Sequence, residues 1–198
     1  IFNKLNGELR PMPVNEPELN YQVKYAGVGI NICNENDGKL LIFGRTLNRY
    51  DRSTGLCRRI KIDSGTKSIG YFLSIGNTDK GLWFHDNRKL YFLPTGAEDL
   101  TTVSVFSSNE IIRCGHIDQK GDIWLATSDG LHRFDTTNRS FHKIPTSLFN
   151  DAVSVVCDKN ARVWVGTKYG LFAYLSKSDT FAMFGKSDGA EPNEYLSK

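Results

Sequence analysis

Short apolar runs rich in β-branched and aromatic residues recur along the chain, and polar turn residues separate them. No stretch keeps an apolar period of 3.6 residues, so the pattern predicts strands rather than helices. The clearest unit has four runs, which are Ile111–Ile117, Asp122–Thr127, Gly130–Asp135 and Ser140–Ile144. Gly121 ends the turn between the first two runs and supplies the positive φ that a tight hairpin needs. We therefore predict an all-β chain.

This unit of four runs occurs four times. The first anchor residue of each copy lies 42, 41 and 40 residues after the previous one, at Leu41, Trp83, Trp124 and Trp164. A period near 40 residues built from short strands is typical of a β-propeller blade, a four-stranded antiparallel sheet. Such a blade cannot bury both faces alone, so the repeated residues are predicted to be structural. They are Trp83, Trp124, Trp164, Leu47, Leu131, Leu171, Gly130 and Gly170.

The repeats predict the boundaries of four blades and two further segments, one before the first blade and one after the last. The four predicted blades cover residues 28–68, 69–110, 111–151 and 152–186. Residues 1–27 are predicted to end a preceding blade and to connect it, and residues 187–198 to begin a further segment. Propellers close with about four to eight blades. We expect a β-propeller fragment, with a closed four-bladed ring as the alternative, and an exposed terminal blade face predicts self-association of two such fragments.

Composition excludes several classes of function. The formal net charge is +3, and the 25 basic residues are scattered rather than gathered into a stripe, so we predict no nucleic-acid partner. No apolar run approaches the roughly 18 residues of a membrane helix, so we predict no membrane insertion of this segment. The cysteines form no Cys-x-x-Cys pair, and buried free thiols are expected, with a disulfide left open. They are Cys33, Cys57, Cys114 and Cys157.

The histidines indicate no catalytic or metal centre. They occupy four different blade positions and share no face, at His85, His116, His132 and His142. The sequence has no Gly-x-Ser-x-Gly, His-Glu-x-x-His or phosphate-binding loop. His116 or His142 with a nearby Glu is the one acid–base candidate, and nothing in the sequence brings such a pair together. We predict no catalytic residue, no metal and no cofactor.

Two segments resemble a known family of repeats. Residues 121–135 (GDIWLATSDGLHRFD) and 163–174 (VWVGTKYGLFAY) are similar to the two-component regulator propeller repeat, G-x-I-W-[IL]-G-T-x-x-G-L-x-R-[FY]-D. The resemblance extends over about residues 28–185. It weakens in the first copy, where Leu41 replaces the Trp, and in the second, where Lys89 replaces the Gly. Residues 187–195 resemble the segment D-G-L-x-x-N-E-[FY] that follows later blades of this family, with Ala190 in place of its Leu.

The resemblance implies a function. Such repeats are typical of the periplasmic sensor region of hybrid two-component systems in gut Bacteroidetes, where seven-bladed propellers precede a membrane helix and a histidine kinase. By this resemblance the chain is part of a seven-bladed ring in a periplasmic sensor anchored in the inner membrane. It would recognise a glycan-derived oligosaccharide, contact other blades and domains of the same receptor, and signal without catalysis. The alternatives are a propeller that only spaces or dimerises the receptor, and a propeller enzyme similar to streptogramin lyases.

A ligand would meet the loops at one mouth of the ring. These loops are the turns between second and third strands and the connections between blades. A sugar needs planar hydrogen-bonding groups and an aromatic platform, although a solvated loop is the alternative at each position. The candidate ligand-binding residues are Arg45, Arg88, Asn109, Asp129, Asn150 and Tyr169. The identity of the ligand and the native number of blades stay open.

Overall fold

The computed structural model describes residues 31–35, 37–44, 46–62, 72–106 and 109–189. These residues form 17 strands and one 3₁₀ turn at Lys186–Asp188, and the strands build four sheets that follow one another along the chain. Each sheet contains an antiparallel meander of four consecutive strands, so the all-β, four-stranded blades are confirmed. Within the same residues, no helix has the length and apolar character that crossing a bilayer requires.

Strand bounds follow the runs seen in the sequence. The first blade consists of β1 (Asn31–Asn34), β2 (Leu40–Phe43), β3 (Leu47–Tyr50) and β4 (Cys57–Arg59). The sheet of the second blade consists of β5 (Lys61–Ile62), β6 (Leu73–Thr78), β7 (Gly81–His85), β8 (Lys89–Pro94) and β9 (Asp99–Val105). The third blade consists of β10 (Ile112–Ile117), β11 (Ile123–Thr127), β12 (Gly130–Asp135) and β13 (Ser140–Lys143). The fourth blade consists of β14 (Ser154–Cys157), β15 (Arg162–Thr167), β16 (Gly170–Leu175) and β17 (Thr180–Phe184).

Strand β5 is an addition that the repeat pattern does not predict. It leaves the first blade after β4 and pairs in parallel with the outer strand of the second blade, Lys61 opposite Asp99 and Ile62 opposite Leu100. The second sheet therefore has five strands, in the order β5-β9-β8-β7-β6. The link between the first two blades is thus held by backbone hydrogen bonds of the second.

Three apolar cores lie between successive blades. In the first core, Leu41 and Leu47 of the first blade pack with Phe84 and Tyr91 of the second. In the second core, Trp83 of the second blade meets Phe134 of the third, with ring centroids 5.7 Å apart. Each of these three cores takes residues from two sheets, which is how a thin blade removes apolar surface from water.

The third core joins the third and fourth blades around Trp124. This side chain and Leu131 pack with Val155, Phe172 and Tyr174, and the Trp124 and Tyr174 rings lie 5.5 Å apart. Trp124 is 3% exposed and Leu131 is fully buried.

The fourth blade carries the same residue types on the face turned away from the third. Val163 and Val165 face the third blade, and the strand alternation directs Trp164 between them to the other side. Trp164 is half-buried there, as is Leu171 on the neighbouring strand, whereas Val156 beside them is 52% exposed. Self-association through such a face stays a prediction.

The repeated Trp of each of the last two blades is held by an aspartate six residues earlier. The indole nitrogen of Trp124 donates to Asp118 over 2.9 Å, and that of Trp164 donates to Asp158 over 2.9 Å. Asp118 also accepts the backbone N–H groups of its turn, those of residues 120 and 122. One carboxylate therefore ties the first hairpin turn of the blade to the core residue beside it.

The first blade replaces this arrangement with an ion pair. Its anchor is Leu41, which has no donor, and the residue six positions earlier is Glu35. The guanidinium of Arg49 on β3 binds both carboxylate oxygens of Glu35 over 2.6 Å, and another of its nitrogens donates to the carbonyl of Ala97 in the second blade over 2.7 Å. The bidentate pair keeps the turn attached to the sheet where no indole is present.

The four cysteines are free thiols, Cys57 buried and the others half-buried. Burial raises the pKa of Cys33 to about 11 and that of Cys157 to about 12, and nearby carboxylates add to the effect. Neither thiol is activated as a nucleophile, since a reactive cysteine requires a lowered pKa.

Replacing Trp124 by Ala is expected to destabilise the protein by about 3–5 kcal/mol, because it opens a cavity between two blades. The same change at Trp164 removes an identical hydrogen bond but a half-buried ring, so its cost should be clearly smaller. Urea unfolding followed by circular dichroism measures both. Equal losses for the two variants would contradict the assignment of Trp124 to an inter-blade core.

Replacing Asp158 by Asn is expected to lower stability in a pH-dependent way. The hydrogen bond from Trp164, together with those from Arg162 and the turn, holds the pKa of Asp158 well below its usual range. A depressed carboxyl pKa stabilises the folded state fully above the unfolded value of about 4 and loses this effect as the pH falls. The difference in unfolding free energy between wild type and D158N should therefore shrink from pH 7 towards pH 2. The exposed Asp79→Asn change serves as the control, and a constant difference for D158N would contradict the expectation.

Candidate functional site

The connections between blades and the second hairpin turns come together at one end of the sheets. The N–H of Ile112 donates to the carbonyl of Asn87 over 2.8 Å, and the N–H of Phe106 donates to that of Arg88 over 2.8 Å. In the next blade, the N–H of Ala152 donates to the carbonyl of Thr127 over 2.9 Å. We call this region the loop end, and it comprises the described residues 44, 46, 86–88, 109–111, 128–129, 144–153 and 168–169.

A repeated threonine shapes the turns of the third and fourth blades. The hydroxyl of Thr127 donates to the carbonyl of Gly130 and accepts the N–H of Asp129, each over 3.1 Å. Thr167 makes the same two bonds, to Gly170 over 3.1 Å and from Tyr169 over 3.0 Å. Asp129 and Tyr169, both predicted ligand contacts, therefore occupy the same position in two equivalent, internally bonded turns.

The turn of the second blade is organised differently, around a buried carboxylate. Asp86 is 1% exposed and accepts the N–H groups of Arg88 and Lys89 over 2.8 Å each, together with the hydroxyl of Tyr91 over 2.7 Å. The Nδ1 atom of His85 donates to the carbonyl of Asp86 over 2.9 Å. Burial lowers the pKa of His85, so its ring is neutral at pH 7. These contacts give Asp86 and His85 a structural role.

The described residues among the predicted ligand contacts all lie at the loop end. Asn109, Asp129, Asn150 and Tyr169 are exposed, and Arg88 is half-buried. The ammonium of Lys168 lies 4.9 Å from the centre of the Tyr169 ring, and the ammonium of Lys143 lies 2.7 Å from Asp129. Arg45 lies outside the described residues. Ligand binding by these six residues stays a prediction.

A cluster of three chemically active side chains stands out at this end. One potential ligand atom from each of Glu110, Asp129 and His132 lies within 4.8 Å of the others. The Nε2 atom of His132 and the Oε1 atom of Glu110 are 3.1 Å apart, and the two side chains are only 10% and 15% exposed. Asp129 is the exposed member.

Burial and packing affect the pKa and the orientation of the His132 ring. Desolvation lowers the pKa of this ring, as does Lys143, whereas the charges of Glu110 and Asp129 oppose the shift. The ring of Phe106 stands edge-on to it, with centroids 6.1 Å apart. His132 is thus fixed on strand β12 and faces a carboxylate.

This cluster was not predicted from the sequence. His116 and His142 were the predicted partners of a glutamate, but among the described residues the histidine–carboxylate pair within 4.0 Å is His132 with Glu110. His116 accepts the N–H of Cys157 over 3.3 Å, and His142 hydrogen-bonds Ser140 over 3.0 Å. The available signal was the spacing Asp129-x-x-His132, which places a carboxylate on the turn and an imidazole shortly after it.

Comparison with known proteins supports the architecture. No family model and no curated protein matches the sequence. Among solved structures, the extracellular domain of the hybrid two-component system BT4673 from B. thetaiotaomicron is 18% identical over 79% of this chain, with a TM-score of 0.56. The extracellular domain of the hybrid two-component system BT3049 from the same organism is 21% identical over 79%, with a TM-score of 0.54. A streptogramin B lyase is 12% identical over 78%, with a TM-score of 0.62.

The chain has a β-propeller fold. The structures similar to this chain include both sensor domains and an enzyme, and at these identities the similarity establishes the fold alone. This propeller chain spans 24% of the matched BT4673 chain, 22% of the BT3049 chain and 53% of the lyase chain. What the whole protein does must therefore be argued from the loop end of the propeller.

Replacing His85 by Asn is expected to reduce the loss of stability between pH 7 and pH 5. The lowered pKa means that the unfolded chain, with a histidine pKa near 6.5, binds the proton more readily than the folded propeller. The stabilising effect of the neutral ring is therefore present above about pH 6.5 and disappears as the pH falls. Urea midpoints at several pH values measure this slope. The exposed His142→Asn change is the matched control and should leave the slope as in wild type, whereas an unchanged slope in H85N would contradict the expectation.

Proposed function

We propose that the chain is part of an extracytoplasmic ligand-sensing propeller that recognises a glycan-derived oligosaccharide and signals to a histidine kinase. The observation that carries the proposal is the separation of packing residues from exposed polar residues in the blades. The repeated Trp and Leu residues are buried or half-buried in the sheets, whereas exposed hydrogen-bonding and aromatic side chains collect at the loop end. The structural similarity to extracellular domains of two hybrid two-component systems supports this assignment.

The chemistry of the loop end suits a neutral polar ligand. Asn109 and Asn150 each offer an amide donor and acceptor, and Asp129 offers a carboxylate. Tyr169 is 48% exposed and presents a ring on which an apolar sugar face can stack. Because repeated hydrogen bonds hold the backbone of the turns at Asp129 and Tyr169, little ordering is required on binding.

In this proposal the signal is a change in population. An oligosaccharide that binds one arrangement of the propeller and its downstream domain more tightly shifts the receptor towards that arrangement. The chain itself performs no chemistry on the ligand. The anchoring of the receptor in the inner membrane and its periplasmic location belong to the same proposal.

Calorimetric titration of the full extracytoplasmic region with a panel of glycan-derived oligosaccharides tests the proposal. A ligand that binds wild type should bind Tyr169→Ala, Arg88→Ala or Asn150→Ala at least about tenfold more weakly in one or more cases, which corresponds to about 1.4 kcal/mol. Loss in any of them would support ligand recognition by this loop end.

Matched controls lie at the opposite end of the same blades. Lys120 and Lys159 are exposed residues of the first hairpin turns, and their Ala variants should bind as wild type does. Binding that survives every loop-end change would leave this segment as a spacing or dimerising part of the receptor. A complete lack of binding to the panel would overturn the oligosaccharide proposal.

An enzyme is the second candidate, because Glu110 and His132 form a carboxylate–imidazole pair at the loop end. Such a pair can transfer protons, and the similarity to a streptogramin B lyase shows that this fold can carry catalysis. Chromatography of each oligosaccharide after incubation with the protein distinguishes the candidates. Turnover that disappears in Glu110→Gln would favour the enzyme, and intact ligand would favour the sensor.

A further inference from the structure

We propose that Glu110, Asp129 and His132 form a binding site for a divalent transition-metal ion, represented by Zn²⁺, between the second and third blades. The three residues come from two loop-end segments and the adjoining strand β12. The proposal stands on the geometry and burial of this cluster and is independent of the sensing function.

The distances between the ligand atoms of the cluster suit a single ion. Zinc binds imidazole nitrogen and carboxylate oxygen at about 2.0–2.2 Å, so the ligands of one tetrahedral ion lie about 3.4 Å from each other. The ligand atoms of the cluster already lie within 4.8 Å of one another, and the His132–Glu110 separation is 3.1 Å. Asp129 is exposed on a turn, so its side chain has the freedom to cover the remaining distance.

Two buried polar atoms of the cluster are unsatisfied. The Nε2 atom of His132 and the Oε1 atom of Glu110 are both shielded from solvent, and neither has a hydrogen-bond partner. They approach to 3.1 Å without forming a hydrogen bond. Buried polar atoms without partners are rare in folded proteins. A cation placed between the two atoms would accept a lone pair from each.

Rigidity of the surrounding residues supports this site. His132 is on a central strand, opposite Leu125 on one side and Lys143 on the other, and its ring packs edge-on against Phe106. The backbone of Asp129 is fixed by its bond to Thr127. Two of the donors therefore belong to preorganised elements, as metal binding requires.

The donor set selects the class of metal. Calcium and magnesium take oxygen ligands, whereas an imidazole with carboxylates favours zinc and its neighbours in the transition series. Two carboxylates and a neutral imidazole would balance the charge of a divalent ion. Three protein ligands leave a fourth position of a tetrahedral zinc open to water or to an oxygen of a bound molecule.

Lys143 is a competitor within the protein itself. Its ammonium lies 2.7 Å from an oxygen of Asp129, so the metal must displace it to recruit that carboxylate. Both side chains of this pair are about half exposed, and an exposed ion pair of this kind is weak. Removing the lysine charge should therefore tighten metal binding, a direction that a merely structural role of the cluster would not produce.

Calorimetric titration of the whole chain with ZnCl₂ in a non-chelating buffer tests the proposal, with CaCl₂ and MgCl₂ as comparison ions. One Zn²⁺ per chain is expected, with at least tenfold weaker binding in His132→Gln, Glu110→Gln and Asp129→Asn. Calcium and magnesium should bind much more weakly than zinc. Lys143→Met should bind zinc severalfold more tightly than wild type.

The control is His142→Gln, which removes an exposed histidine from the neighbouring strand β13. It should bind zinc as wild type does, and thermal unfolding in the presence of EDTA establishes that each variant is folded. Asp129 is exposed on a turn, so its variant keeps the test valid even where the buried changes disturb folding. Absent zinc binding, or equal affinity in wild type and D129N, would overturn the proposal. Zinc binding that H142Q abolishes, or that K143M weakens, would overturn it as well.

Discussion

A four-stranded sheet has two apolar faces and no means of burying either alone, and this constraint governs the whole chain. The cores between blades are therefore shared, with Trp83 reaching Phe134 of the next blade and Trp124 reaching Tyr174 of the one after. Packing occupies the central strands almost completely, since Leu90, Leu125 and Leu131 are fully buried. Exposed side chains lie mainly on the loops, which is why the candidate ligand-binding residues are at the ends of the sheets.

Buried residues of the sheets fix the conformation of the adjoining turns. Thr127 is fully buried, yet its hydroxyl fixes the exposed turn that carries Asp129, and Asp86 does the same for the turn of the second blade. His132 is a further strand residue that contacts a loop. It follows the Leu131 anchor, and its imidazole lies against the loop that contains Glu110. A propeller can therefore vary its sites by single changes next to repeated packing positions without altering the blades.

The period of the anchors was sufficient to predict the blades, because burial between sheets requires the same residue type at the same place in each copy. Side-chain pairs across turns were less accessible. The six-residue spacing of Asp118 and Trp124 is visible in the sequence, but its meaning depends on the turn folding back onto the ring. Glu110 and His132 lie 22 positions apart, and only the path of the connection between blades brings them together. Strand β5 was missed for the same reason, since two residues carry no period.

The pairing of β5 with β9 also bears on how the sheets meet other chains. An outermost strand with unpaired backbone groups is a template for strand addition unless it is covered or charged. β5 covers the start of β9. The outer strands β4 and β13 carry exposed polar side chains that oppose pairing with another chain, Arg58 and Arg59 on β4 and His142 and Lys143 on β13. β17 consists of Thr180–Phe184 and has no charged side chain. Among the described residues, intermolecular strand addition to the outer strand is therefore opposed at three blades and least opposed at β17.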